Sequence, residues 1–236
     1  MIKAVFLDID DTILNFGAFV RQAMEQGFAA FGLPPYEEGM FPVFERINGE
    51  LWRGIERGEI ARSQLIDLRW QRIFQALGIS GDGRAFELYF RDALLHSAIP
   101  MAGAEEMIPW LSGRFLLCAA SNGPHAQQET RLGLAGFLPY FHFLFISETI
   151  GAQKPSPVFF VRCMEILNGR PLPGRAYPVL PGEILMVGDS PSSDLLGGIE
   201  SGLKTCYFNG RQTPLPDGVR PDYTIRRLTQ LRDILA

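Results

Sequence analysis

An α/β fold is expected, with a parallel sheet covered by helices on both faces and a helical segment inserted near its start. Three features of the 236-residue sequence predict it. The chain opens on a short apolar run, Ala4-Val5-Phe6-Leu7, with no helical stripe, which suits a strand buried on both faces. From about residue 16 to 98 there is no convincing strand, only apolar residues at helical spacing. Beyond that, strand-length apolar runs alternate with helical stretches, the pattern of a parallel sheet with crossover helices.

In order along the chain, Phe19, Val20, Ala23, Phe28 and Phe31 make one helical face, stopped by Gly32 and Pro34-Pro35. Further helices are expected near residues 43–55, over 65–77 with a stop at Gly78, and from about 84 to 96. These four form a helical module directly behind the first strand. A helix over 105–111 then leads to a buried strand, Phe115–Ala120, and a helix over 127–136. His142–Ile146 reads as a strand, and 157–167 as a helix with Ser156 at the N-cap and Pro157 at its first position. The Pro- and Gly-rich stretch 169–182 is a surface loop. Ile184–Val187 is another buried strand, 194–202 a helix, Lys204–Phe208 a strand, Tyr223–Ile225 an edge strand and 228–235 a last helix. The expected division is residues 1–15 and 99–236 for the sheet domain and 16–98 for the helical one.

Composition narrows the partners. With 47% hydrophobic residues and 18 Phe, a substantial core is available to one large domain carrying an insertion. A net charge of −4 offers no electrostatic footprint for a nucleic acid polymer. Cys118, Cys163 and Cys206 lie far apart among apolar residues, the usage of reduced, buried thiols, and show no zinc spacing. No signal peptide is expected, since the N-terminus runs directly into the first strand, and no apolar run approaches the ~20 residues of a membrane span. A cytoplasmic monomer or homodimer, with no membrane partner, is expected.

The chemistry sits at the strand ends, because ligands of open parallel sheets bind beyond the carboxyl ends of the strands. The first strand runs into Asp8-Ile9-Asp10-Asp11-Thr12. Carboxylates this crowded behind a buried strand repel one another and need a counter-charge, most simply a divalent cation. A solvated Asp-rich turn is the alternative. An EF-hand is excluded, because Gly is missing at loop position six and Phe19 stands at position twelve. The second strand is followed by Ser121-Asn122-Gly123, the third, past a loop, by Lys154-Pro155, and the fourth by Gly188-Asp189 with Asp194 beyond. Singly, Ser121 reads as a turn residue, Lys154 as a surface lysine, and Asp189 and Asp194 as turn and cap residues. Together, on one edge of one sheet, they are the parts of a phosphate-and-metal site.

This set, Asp8-Ile9-Asp10-Asp11-Thr12, Ser121, Lys154, and Gly188-Asp189 with Asp194, resembles the haloacid dehalogenase superfamily from end to end. The resemblance implies a Rossmann-like core, with the helical insertion as a type-one cap. It implies a phosphomonoesterase in which Asp8 is the nucleophile and Asp10 the proton donor and acceptor. Mg²⁺ would be held by Asp8, the Asp10 backbone carbonyl and Asp189, supported by Asp194. Ser121, Asn122 and Lys154 would contact the phosphate, and Thr12 would position the turn. A dehalogenase needs no acid for a halide leaving group, so Asp10 favours phosphate esters. No role is assigned to Asp11 beyond that of a solvated turn residue.

Within the insertion, Ile47-Asn48 with Leu51-Trp52, Gly58-Glu59-Ile60 and Leu68-Arg69-Trp70 are similar to the cap of bacterial pyrimidine 5′-nucleotidases, as is the core run Ile146–Gly151. That implies a nucleoside 5′-monophosphate as the small phosphorylated metabolite, with Asn48, Trp52 and Arg69 as substrate contacts. A core role for Trp52 and Trp70, and an internal ion pair for Arg69, are the competing readings. The competing functions are a phosphatase of sugar phosphates or other small metabolites, and a phosphate-binding module without catalysis. The 169–182 loop is longer and richer in Pro than its family counterpart and is expected to lie away from the site.

Overall fold

The computed structural model describes residues 1–235. The chain divides into two compact units, one of Met1–Asn15 with Ala98–Ala236 and the other of Phe16–Ser97. In the first unit six strands form a single parallel sheet: β1 (Ala4–Leu7), β2 (Leu116–Ser121), β3 (Phe143–Ile146), β4 (Ile184–Gly188), β5 (Lys204–Phe208) and β6 (Tyr223–Ile225). Their spatial order is β3-β2-β1-β4-β5-β6, so β1 is central and the order reverses beside it. Leu7 pairs in register with Ala119 of β2 and with Val187 of β4. That register brings the segments leaving all three strands to one edge.

The apolar runs of β1, β2 and β4 are continuous because both faces are covered. Val5, Leu7, Leu117, Ala119, Leu185 and Val187 pack with Met107, Ile108 and Leu111 of a helix at Ala104–Ser112. Ala4, Phe6, Cys118, Ala120 and Met186 face the opposite way, onto Phe159, Phe160, Cys163 and Leu167 of the Pro157–Gly169 helix. Ser156 caps that helix through Val158 N–H at 3.3 Å, as the sequence pattern predicts. The three cysteines are free and buried. No helix among the described residues is long and apolar enough to cross a membrane.

The chain leaves and re-enters this unit at adjacent points. Asn15 N–H donates to Ile99 O at 2.7 Å and Met101 N–H to Ile13 O at 2.9 Å. An insertion whose ends are stitched together in this way leaves the sheet intact.

The second unit holds four helices, α1 (Phe16–Ala30), α2 (Phe41–Glu56), α3 (Leu65–Leu77) and α4 (Gly83–Leu95). Their apolar faces meet in an aromatic cluster of Phe28, Phe44, Trp70, Phe74, Phe86 and Phe90, with Trp70 4.4 Å from Phe86 and 5.2 Å from Phe90 between ring centroids. Trp70 is therefore core. Arg69 is also buried, pairing with Glu87 through Nε at 2.9 Å and Nη2 at 2.5 Å while Nη1 donates to Asn48 Oδ1 at 3.2 Å. Arg69 and Asn48, expected as substrate contacts, form an ion pair and hydrogen bond inside the helical unit, because a buried guanidinium needs a carboxylate partner. Trp52 is half-buried on α2.

Local differences from the sequence reading have physical causes. The helix expected over 194–202 begins as a π-helical turn, Pro191–Leu196, before Gly197–Glu200, and Ser190 Oγ caps it by accepting from Ser193 N–H. A short helix, Ser147–Ile150, follows β3 where only a loop was expected. The 169–182 loop is tied down, with Asn168 bonded both ways to Val179 and Arg175 donating to Ser112 O at 2.6 Å. His142 lies just before β3 instead of within it, its Nδ1 accepting the Leu117 N–H at 3.0 Å.

Burial and the nearby Arg175 charge hold the His142 pKa below its ordinary 6.5. A depressed folded pKa means that the unfolded chain takes up the proton first, so stability present above 6.5 is lost as pH falls through the folded value. Thermal denaturation is expected to show Tm falling more steeply between pH 7 and 5.5 in the wild type than in His142→Asn.

Candidate active site

One buried cation organises the carboxyl edge of the sheet. The Lys154 ammonium, 1% exposed, donates to Asp8 Oδ1 at 2.7 Å, Asp194 Oδ1 at 2.6 Å and Ala120 O at 2.6 Å. An ammonium has three protons, and all three are used. Burial alone would lower the Lys154 pKa, but the charges and hydrogen bonds of Asp194 and Asp8 outweigh it and hold it above its ordinary value. Asn122 aligns this lysine, its Nδ2 donating to Lys154 O at 2.8 Å and its Oδ1 accepting from Lys154 N–H at 2.9 Å. Asn122, expected on the phosphate, is thus engaged with the backbone of Lys154.

The carboxylates outnumber this cation. Asp8, Asp189 and Asp194 each present an oxygen within 4.8 Å of the others. Burial pushes the Asp8 carboxyl up to about 7, with Lys154 pulling it down and Asp194 pushing it up. Burial, with Asp11, Asp8 and Asp194 nearby, raises Asp189 well above the ordinary carboxylate range. Asp194 is fully buried and has both oxygens engaged, Oδ1 by Lys154 and Oδ2 by Ser190 N–H at 3.1 Å. Gly188 makes room for it, since a Cβ there would collide with the Asp194 carboxylate. Three hard oxygen donors around uncompensated negative charge are the donor set that Mg²⁺ takes. The residues fit that ion.

The remaining predicted residues gather beside these. Ser121 ends β2, its Oγ accepting from Gly123 N–H at 3.1 Å and from Gln128 Nε2 at 2.9 Å. Asp10 Oδ1 pairs with Arg131 Nη1 at 2.6 Å and Oδ2 accepts from Gln128 Nε2 at 2.7 Å. Both oxygens of its carboxylate are thus engaged by side chains of the helix that follows β2. Asp11 is backed by Arg211 at 2.5 Å and has a left-handed backbone, φ 56°. Thr12 is buried, and its Oγ1 has no hydrogen-bond partner, so its side-chain hydroxyl does not tie the turn.

Gln128 and Arg131 escaped the sequence reading. They sit three apart on the helix His125–Leu134, and so on one face, directly after the Ser121-Asn122-Gly123 turn. A Gln and an Arg at helical spacing behind a strand end are also ordinary surface residues. Only their burial, 0% and 1% exposed, marks them out.

Comparisons with known proteins identify what the whole chain resembles. The family model described as haloacid dehalogenase-like hydrolase matches residues 2–202. The chain is 31% identical to the HAD-hydrolase YfnB of Bacillus subtilis, over 99% of this chain and 95% of that protein. It is 30% identical to the pyrimidine 5′-nucleotidase YjjG of Escherichia coli (98% and 96%) and 29% to the pyrimidine 5′-nucleotidase PynA of Streptococcus pneumoniae (99% and 94%). The crystal structure of YfnB bound to magnesium superposes with a TM-score of 0.86, covering 99% of this chain and 98% of that one.

Removing one partner of a buried ion pair costs about 3–5 kcal/mol, because the other charge is left uncompensated. Lys154→Met strands Asp8 and Asp194 together and is expected to lower unfolding stability by that amount in metal-free buffer, measured by urea denaturation at pH 7.5.

Proposed function

The chain belongs to the haloacid dehalogenase-like hydrolases, and from that premise we propose that it is a Mg²⁺-dependent phosphomonoesterase acting on nucleoside 5′-monophosphates through an aspartyl-phosphate. The observation that carries the reading is Lys154 seated between Asp8 and Asp194. It holds Asp8 Oδ1 and leaves Oδ2 as the attacking oxygen. It also brings positive charge to the place where a phosphoryl group must meet a carboxylate.

Asp8 Oδ2 attacks phosphorus and the bond from phosphorus to the bridging ester oxygen breaks. Asp10, carrying a proton in this step, gives it to that oxygen, releasing the alcohol and leaving the carboxylate that Arg131 and Gln128 hold in the structure. A water oxygen then attacks the phosphorus of the aspartyl-phosphate, and Asp10 takes the proton. The Asp8–phosphorus bond breaks, returning the Asp8 carboxylate and free phosphate. Ser121 donates to a phosphoryl oxygen in both halves, while Lys154, its protons committed to Asp8, Asp194 and the Ala120 carbonyl, offsets the phosphoryl charge through space. Asp8, the Asp10 backbone carbonyl and Asp189 would hold Mg²⁺, with Asp194 supporting them. The ion supplies positive charge that lets an anionic nucleophile approach an anionic phosphate.

The presence of Asp10 beside Asp8 favours phosphate esters over haloacids, since an alkoxide leaving group needs a proton and a halide does not. The nucleotide assignment draws on the two pyrimidine 5′-nucleotidases similar to the chain over nearly its whole length.

Asp8→Asn is expected to abolish hydrolysis of p-nitrophenyl phosphate in Mg²⁺ while leaving the circular dichroism spectrum unchanged. On a panel of phosphorylated metabolites, UMP and dTMP are expected to give the highest kcat/KM. Sugar phosphates exceeding them by tenfold, about 1.4 kcal/mol of transition-state preference, would move the assignment to a sugar phosphatase.

A further inference from the structure

We propose that Gln128 and Arg131 are positioning residues, a clamp that fixes the Asp10 carboxylate and ties it to the phosphate-binding hydroxyl of Ser121. The proposal rests on the phosphatase reading of Asp8 and Asp10 given above.

Arg131 is 1% exposed, and a guanidinium taken out of water requires a carboxylate partner. Asp10 Oδ1, 2.6 Å from Nη1, is such a partner. The same Nη1 reaches Gln128 Oε1 at 3.1 Å. That contact turns the Gln128 amide so that its nitrogen faces the other way, toward Asp10 Oδ2 at 2.7 Å and Ser121 Oγ at 2.9 Å. An amide nitrogen has two protons, and these two acceptors use both. Each Asp10 oxygen is thereby held by a different side chain of one helix. The carboxylate cannot rotate about its Cβ–Cγ bond without losing both bonds.

The second consequence falls on Ser121. Its oxygen already accepts from Gln128 Nε2 and from Gly123 N–H at 3.1 Å. With both lone pairs committed, the hydroxyl proton must point to a third partner, which makes Ser121 a donor to an anionic oxygen. Gly123 is part of the device, because a Cβ at that position would overlap the Gln128 amide. Ser121, Gly123, Gln128 and Arg131 thus form one unit spanning the end of β2 and the helix behind it.

A fixed Asp10 matters most where it must take a proton from water at a set angle, in hydrolysis of the aspartyl-phosphate. Release of an aryl oxide needs no proton donor, so the first half-reaction with p-nitrophenyl phosphate tolerates a misplaced Asp10. The test is stopped-flow turnover of that ester in Mg²⁺ by the wild type, Arg131→Met, Arg131→Lys and Gln128→Met. Arg131→Met is expected to lower steady-state kcat at least tenfold while releasing a fast burst of nitrophenolate approaching one per chain. Arg131→Lys should recover part of the steady rate. Gln128→Met, which keeps the buried charge pair and disturbs the fold less, should show the same burst together with a lowered kcat/KM, because Ser121 loses its fixed donor sense.

The burst counts chains that are folded and competent at Asp8, so general damage shrinks burst and steady rate alike. Such a parallel loss in both Arg131→Met and Gln128→Met, or an unchanged kcat in both, would overturn the clamp while leaving the phosphatase reading in place. A wild type inert toward the ester in Mg²⁺ would overturn the phosphatase reading and the clamp with it.

Discussion

The Lys154 ammonium, buried and shared between Asp8, Asp194 and the Ala120 carbonyl, is the interaction on which the rest of the site depends. Three acidic side chains within 4.8 Å of one another cannot all stay charged away from water. One lysine neutralises part of that charge, and burial, together with the neighbouring carboxylates, holds the Asp8 and Asp189 pKa values up. A site left short of positive charge in this way is suited to a divalent cation. It is also suited to a reaction that passes a phosphoryl group between carboxylate and water.

The fold makes this possible by order and register. β1 sits at the centre of the sheet, and β2 and β4 flank it in parallel. Asp8, Ser121 and Asp189 therefore emerge side by side from chain positions more than a hundred residues apart for the first pair. The segment after β3 delivers Lys154, and Asn122 fixes its backbone. Gly188 contributes an absence, since only a missing side chain leaves space for the Asp194 carboxylate. The helical insertion enters and leaves at Asn15 and Ile99, bonded to each other, so its two ends are held together within the sheet unit.

What could be read in the sequence, and what could not, follows from range. Buried strands such as Ala4–Leu7 and Ile184–Gly188 declare themselves as short apolar runs, and Ser156-Pro157 marks a helix start by local chemistry alone. The strand-end residues were legible because one topological rule places them all at the same edge. Partnerships were not. Nothing local distinguishes an Arg69 that reaches a ligand from one that pairs with Glu87 eighteen residues on. Asn122 sits in the expected turn, but its two bonds to Lys154 span a separation of 32 residues that no pattern encodes. Gln128 and Arg131 were missed for the same reason, because their meaning lies in Asp10, over a hundred residues earlier. The π-helical start at Pro191–Leu196 reflects tertiary demands, with Asp194 turned inward to Lys154 at the cost of regular α-helical geometry.

The central claim is that the acidic group around Lys154 is completed by one divalent cation. Calorimetric titration of the metal-free protein with Mg²⁺, beside Asp189→Asn, addresses it most directly. The wild type should bind one Mg²⁺ per chain and Asp189→Asn should lose that binding. Failure of the wild type to bind Mg²⁺ at millimolar concentration, or full retention of binding by Asp189→Asn, would contradict it.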